Sequence, residues 1–246
     1  VEKDPVGHSV ELRLYAEDPE QNFLPHPGLV AMFRPALAKG VRWELGVETG
    51  SEISSSFDPM IAKLVVHASD RRKALALADF ALEHTFFAGP QNNFLFLRAL
   101  LNDANMVVAP VSTHYIADNL DDLLDSARQY CWDSEPEGLG PVVSALKELG
   151  MADVGREASL SDQIAARAFG AKVPQGVIEN VEIQRIASLF GDDILYASGM
   201  KDGAAFEFAA AEASGQRLLW LQYGKRCWRD AVALEAESAG GQAGAG

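Results

Sequence analysis

The sequence predicts an α+β chain: an antiparallel sheet with packed helices, followed by a helix that leads into an antiparallel β-meander or barrel. Three observations predict it. Period-two segments and Pro/Gly turns dominate residues 7–68, helical stripes run from Ser69 to Leu123, and short β-rich segments divided by turn residues fill 180–235.

In the first segment Val10, Leu12 and Leu14 alternate with Glu11, Arg13 and Tyr15, which gives a strand one apolar face. Residues 28–33 and 41–47 read as further strands, and residues 60–67 as a near-continuous apolar strand covered on both faces. Pro25, Pro27, Gly28, Pro35, Gly40, Gly50 and Pro59 supply the connections. Ser69 or Asp70 is placed to cap a helix whose Leu75, Ala78, Leu82 and Phe86 form one stripe, ended by Gly89-Pro90. Asn92 or Asn93 starts a second helix over residues 94–101, apolar nearly all round and therefore buried. Thr113 is expected to cap a third, with Ile116, Leu120 and Leu123 on one face.

Between Ala117 and Gly140 the chain carries seven acidic residues and one basic residue, then closes on Pro136, Gly138, Gly140 and Pro141. That composition marks a boundary, giving a unit over 1–120, an acidic linker over 121–140 and a second unit over 141–236. The second unit reads as helical to Phe169. It then becomes a meander turning at Gly191-Asp-Asp, Lys201-Asp-Gly, Ser214-Gly-Gln and Tyr223-Gly-Lys, and a closed or nearly closed barrel would hide its edges. Residues 237–246 are an Ala/Gly-rich linker by composition, and the start at Val1 suggests truncation or processing.

A formal net charge of -14 argues against nucleic-acid binding and against docking on anionic membranes, and no apolar run approaches the length of a membrane helix. Cys131 and Cys227 lie far apart without CxxC spacing, so neither a disulfide framework nor a zinc site is implied, and a reducing cytoplasm is the default. The sequence contains no phosphate loop, dinucleotide fingerprint, HExxH or GxSxG, and its five histidines lack ligand spacing.

Several residues invite chemistry. Glu11, Glu17 and Asp18 could form an acid/base group, but Asp18-Pro19 is first a turn initiator whose carboxylate bonds nearby amides. Arg42, beside Trp43 in an otherwise apolar strand, is either a surface or ion-pair residue or a planar clamp for bicarbonate, phosphate or carboxylate. Lys63 interrupts a buried-looking strand, so its stem snorkels or its ammonium pairs with a carboxylate such as Asp58. Met200-Lys201 has the setting of a biotinylated lysine, yet Lys201-Asp-Gly203 is simply good turn chemistry.

Residues 8–19, 22–28, Val41-Arg42 and 57–64 resemble, in order, the C-terminal part of the biotin carboxylase domain. The likeness is to the biotin-containing alpha subunits of acyl-CoA carboxylases acting on propionyl-, 3-methylcrotonyl- or geranyl-CoA. Residues 89–98 resemble a family segment in which Gly-x-x-Thr-Asn begins a helix, with Asn92 in place of Thr. The resemblance covers residues 7–120. It implies an ATP-dependent ligase in which biotin is carboxylated from bicarbonate with Mg-ATP. Arg42 matches the arginine that holds bicarbonate and steadies the developing biotin enolate, and Thr113 matches a position lining the adenine pocket.

Downstream the family carries a mediating domain, a long helix wrapped by an antiparallel barrel that grips the carboxyltransferase beta subunit, then a linker and the biotin carrier domain. Residues 140–235 fit that plan in architecture and size, whereas the carrier's Ala-Met-Lys-Met is absent. The resemblance therefore implies a fragment, inactive alone, holding part of the biotin/bicarbonate site and the docking domain, and binding neither Mg-ATP nor biotin by itself. Its expected partners are the beta subunit, the carrier domain and a second copy through the carboxylase part. The expected location is cytoplasmic in a bacterium or the mitochondrial matrix in a eukaryote. A stand-alone partner-binding module, or a subunit of acetyl-CoA or pyruvate carboxylase, is the alternative.

Overall fold

The computed structural model describes residues 6–108, 111–132, 181–189, 194–213 and 216–233. The strands of the first part are β1 (His8–Tyr15), β2 (Glu17–Asp18), β3 (Leu24–Pro25), β4 (Gly28–Leu29), β5 (Met32–Arg34), β6 (Val41–Leu45), β7 (Glu52–Ile53), β8 (Met60–Ala68) and β9 (Phe86–Ala88). Helix α1 (Arg71–Glu83) precedes β9, and α2 (Phe94–Asn102), α3 (Ala104–Val108), α4 (Tyr115–Asp118) and α5 (Leu120–Arg128) follow it. The second part is a run of five strands: β10 (Val181–Leu189), β11 (Ile194–Lys201), β12 (Ala204–Ala213), β13 (Gln216–Tyr223) and β14 (Arg226–Ala233).

The main sheet of the first part is antiparallel in the order β1-β8-β6. Its period-two pattern buries Leu12, Leu14, Ala62, Leu64 and Val66 on one face, with Trp43 packed beside them. Ala74, Leu75, Ala78 and Leu82 of α1 close over that face. Small alanines on the stripe let the helix come close, and burying Leu75 alone stabilises by about 2 kcal/mol. Among the described residues the opposite face stays open: Lys63 keeps 34% of its side chain exposed. Among these residues the expectation that β8 is covered on both faces is therefore corrected, because the described helices that pack on this sheet lie on one side.

Helix α1 begins where its sequence predicts, the Asp70 carboxylate accepting from the Lys73 amide at 2.9 Å. It ends earlier than expected. His84 is its C-cap, and Phe86, read as the last residue of the helical stripe, lies in β9 paired with Arg34 of β5. Non-local pairing thus overrides the local 3.6-residue pattern. Helix α2 is buried through Phe94, Phe96, Ala99, Leu100 and Leu101, as its all-round apolar sequence requires. The Asn92 side chain accepts from the Phe94 amide, while the Asn93 carboxamide accepts from the Tyr15 amide instead and ties α2 to β1.

Thr113 caps nothing: His114 occupies the N-cap position of α4. The acidic stretch read as a linker is helical as far as Arg128. Leu123 and Leu124 of α5 pack on Phe96 and Leu100 while Asp121, Asp122 and Asp125 face solvent. Its charges mark the outer face of a packed helix rather than a break.

The meander runs β10-β11-β12-β13-β14, each strand antiparallel to the next. Asp202-Gly203 forms a two-residue hairpin with φ of 49° and 80°, and Gly224 opens the next turn at φ 56°. These positive φ values are the left-handed geometry of the tight turns read at Lys201-Asp-Gly and Tyr223-Gly-Lys. Among the described residues β10 and β14 do not pair, so the sheet is open there. The helical reading of residues 145–169, and the turns at Gly191 and Ser214, lie outside the described residues.

The two parts pack against each other. Ile194, Tyr196, Ala209, Ala211 and Trp220 on one face of the meander meet Ala31, Phe86 and Ala88. Polar contacts fix the register: the Trp220 indole donates to the Gly89 carbonyl at 3.0 Å, and Gln222 donates to the Glu83 carbonyl at 2.6 Å. Across the same seam Arg34 pairs with Glu207 at 2.6 Å, and the Tyr196 hydroxyl donates to that carboxylate at 2.8 Å. Burial first, and then the Glu207 charge, raises the Tyr196 phenol above its ordinary value.

Candidate functional site

The open face of the β1-β8-β6 sheet gathers charged side chains in register. Arg42 of β6 stands opposite Val65 of β8, which stands opposite Glu11 of β1; one row on, Glu44, Lys63 and Arg13 line up the same way. The alternation that sends Val41 and Trp43 into the core sends Arg42 and Glu44 outward. Arg42 keeps 67% of its side chain exposed, with one guanidinium nitrogen 3.2 Å from Glu44. Glu44 also lies 3.9 Å from the Lys63 ammonium, and Arg13 donates to Glu11 at 3.2 Å.

Local structure holds this face in place. The Trp43 indole donates to the Ala36 carbonyl at 2.8 Å, and its ring meets Phe33 edge-on. Gly40 enters the strand at φ +86°, where a Cβ would sit 2.7 Å from the His67 carbonyl oxygen. Only glycine lets β6 close on β8 at that point. The result is a guanidinium held by one edge and open on the other, a fork suited to a planar oxyanion.

The other candidates separate. Lys63 joins the Arg42 face, but through Glu44 rather than Asp58, whose carboxylate accepts from the Met60 amide. Asp18 caps the 3-10 turn at Pro19–Gln21, accepting from the Glu20 amide at 3.0 Å, as its turn chemistry requires. Glu17 stands apart from Glu11, its carboxyl raised by burial and then by the Asp58 charge. No shared acid/base group is formed by the three. Thr113 lies in the exposed turn before α4. Lys201 is largely buried, 13% of its side chain exposed and 3.1 Å from Asp202, a strand-end lysine rather than a projecting one.

Sequence reasoning missed a buried cation. Arg98 of α2 is 4% exposed, pairs with Asp79 and Glu83 at 2.9 Å each, and donates to the Lys225 carbonyl at 3.1 Å. Its guanidinium also lies over the Tyr130 ring at 4.3 Å. Asp79 and Glu83, four residues apart on α1, were the available signal, but nothing local showed that α2 would meet them. Arg98 organises the seam between the two parts and lines a cavity of about 360 Å³ there, together with Arg128, Trp220 and Arg229.

Residues 11–118 match the biotin carboxylase C-terminal domain. The sheet-and-helix unit carrying Arg42 is thus the part of the chain that matches that family. Over 107 residues the chain is 45% identical to the biotin-dependent acyl-coenzyme A carboxylase alpha3 subunit of Mycobacterium leprae, covering 43% of this chain and 18% of that protein. Over 121 residues it is 42% identical to the mitochondrial methylcrotonoyl-CoA carboxylase subunit alpha of Mus musculus, covering 49% and 17%. The chain therefore spans about a fifth of the length of these relatives.

Among solved structures it is similar to the biotin carboxylase domain dimer of Hydrogenobacter thermophilus 2-oxoglutarate carboxylase, in complex with MgADP, ADP and bicarbonate. That match is 28% identical, with a TM-score of 0.47, over 48% of this chain and 26% of that one. Among the described residues no helix is long and apolar enough to cross a membrane.

Proposed function

We propose that this chain is the part of an acyl-CoA carboxylase alpha subunit that supplies one wall of the biotin carboxylation site together with a docking module. The observation that carries the proposal is Arg42. In a domain of the biotin carboxylase family, its guanidinium projects from the open face of the sheet with one edge against Glu44. Its donor fork fits bicarbonate, and it steadies negative charge that develops on the carboxyl acceptor. Biotin, when present, supplies the nitrogen that receives the carboxyl group, and Mg-ATP supplies the driving force. Both belong to the whole enzyme, and Thr113 is assigned to the edge of the adenine pocket on the family resemblance alone. Glu44 orients Arg42 by charge, Lys63 approaches that carboxylate from the neighbouring strand, and Trp43 and Gly40 hold the strand of Arg42.

Residues 181–233 are assigned to the mediating domain that docks a carboxyltransferase beta subunit. The open five-strand meander and its position after the carboxylase-type domain support that assignment. A second copy and the carrier domain are the remaining partners, and the reaction class is a carbon–carbon ligase.

The test uses the whole alpha subunit containing this chain. Arg42→Met is expected to lower bicarbonate-dependent biotin carboxylation by roughly 100-fold or more, the usual cost of removing one preorganised charge donor. Its melting temperature should stay unchanged, because the side chain is exposed. Full activity in that variant would refute the assignment. Separately, the chain should retain the beta subunit in a pull-down, and the absence of binding would remove the docking role.

A further inference from the structure

Cys131 and Cys227 lie 96 residues apart in sequence, yet their sulfurs are 3.6 Å apart in the fold. Cys131 follows α5 and Cys227 sits in β14. A parallel bridge joins them: the Cys227 amide donates to the Tyr130 carbonyl at 2.9 Å, and the Trp132 amide donates to the Cys227 carbonyl at 3.0 Å. Neighbouring strands run about 4.8 Å apart, inside the Cα separation of about 4.4–6.8 Å that a disulfide spans. The bridge thus sets the two backbones at a spacing that suits a disulfide, with the sulfurs already 3.6 Å apart. Trp132 stacks on Tyr223, the Arg226 guanidinium lies over the Trp132 ring, and Arg226 also donates to the Cys131 carbonyl. These contacts hold the bridge rigid on both sides.

We propose that this pair is a redox modification site: a hydroperoxide converts it to a disulfide that locks the C-terminal sheet onto the carboxylase-type domain. Both thiols line the 360 Å³ cavity at the seam, which gives a small oxidant a route to them. The Cys131 sulfur attacks the peroxide and breaks its O–O bond. Cys131 becomes a sulfenic acid, and the departing oxygen leaves as water. The Cys227 sulfur then attacks the Cys131 sulfur and displaces hydroxide, which takes the Cys227 proton and leaves as a second water. Two thiols and one hydrogen peroxide thus give one disulfide and two waters.

The roles are unequal. The hydrogen bond that Cys227 shares with Cys131, then burial, push the Cys227 thiol above its ordinary value, so Cys227 keeps the proton that the second step consumes. A dithiol reductant reverses the reaction by exchange. Neither cysteine belongs to the Arg42 face, so this site stands apart from the proposed carboxylation chemistry.

The test oxidises the full chain, reduced beforehand, with stoichiometric hydrogen peroxide. The intact mass should fall by two hydrogens, and a non-reducing digest should yield one peptide pair joining Cys131 to Cys227. Because the cross-link closes a long loop, the melting temperature should rise by about 10 °C and return on reduction. Cys227→Ser should stop at a Cys131 sulfenic acid trappable by a dione reagent, and Cys131→Ser should yield no cross-link. Independent over-oxidation of the two thiols, or a disulfide between two chains, would overturn the proposal. The wild-type digest decides even if a variant fails to fold.

Discussion

Arg98→Met removes the buried cation and keeps most of its volume. Two carboxylates lose a partner at 2.9 Å: Asp79, 19% exposed, and Glu83, 14% exposed. Breaking a buried pair from one side costs about 3–5 kcal/mol, because the abandoned charge stays desolvated. Lys225 remains 3.3 Å from Glu83, but its side chain is 73% exposed and offsets only about 0–1 kcal/mol. The net expectation is a loss of about 3 kcal/mol, or a fall of roughly 6–12 °C in melting temperature for a chain of this size.

Chemical denaturation of the full chain reads the first quantity and calorimetry the second. Adding Asp79→Asn and Glu83→Gln to Arg98→Met should restore most of the stability, since neutral amides need no buried counter-charge. A single variant that loses less than about 1 kcal/mol, or a triple variant that recovers nothing, would refute the argument from an unpaired buried charge.

Two further predictions concern backbone and pH. Gly40→Ala forces φ +86° on a residue with a Cβ placed 2.7 Å from a backbone oxygen. It should cost about 2 kcal/mol or more, and unchanged urea midpoints would contradict the strain assigned to that turn. Glu17 has a carboxyl raised by burial and by Asp58, so the folded state holds its proton more tightly than the unfolded one. Its ionisation therefore lowers stability as pH rises through the ordinary glutamate range. Glu17→Gln should raise the melting temperature at neutral pH, with the gain vanishing below about pH 4. A gain independent of pH would show that ionisation is not the cause.

Much of the candidate site was legible in one dimension. The alternation around Arg42 places it opposite the partly buried Val41 and Trp43 however the strand pairs, because successive side chains point to opposite faces. Asp70 at the start of α1, Asp18 before Pro19 and the two tight turns at Asp202-Gly203 and Gly224 were equally readable, each being settled within a few residues. What failed depended on partners distant in sequence. Phe86 fits a helical stripe, yet it is claimed by Arg34 across a ladder. The stretch read as an acidic linker over 121–140 is helical as far as Arg128, because α2 offers Leu123 and Leu124 a surface to bury. Lys63 finds Glu44 on the neighbouring strand instead of Asp58 on its own approach.

The sequence by itself determined the fold class, the face on which Arg42 stands and the likeness of residues 11–118 to the biotin carboxylase C-terminal domain, since each rests on local periodicity or ordered short motifs. Only the tertiary structure decided how the two parts meet. It alone brought Arg98 between Asp79 and Glu83, Trp220 to the Gly89 carbonyl and Cys131 to within 3.6 Å of Cys227. Those contacts join residues up to 131 positions apart. Their geometry is set by how helices and sheets pack, and a pattern of neighbours along the chain carries no record of that.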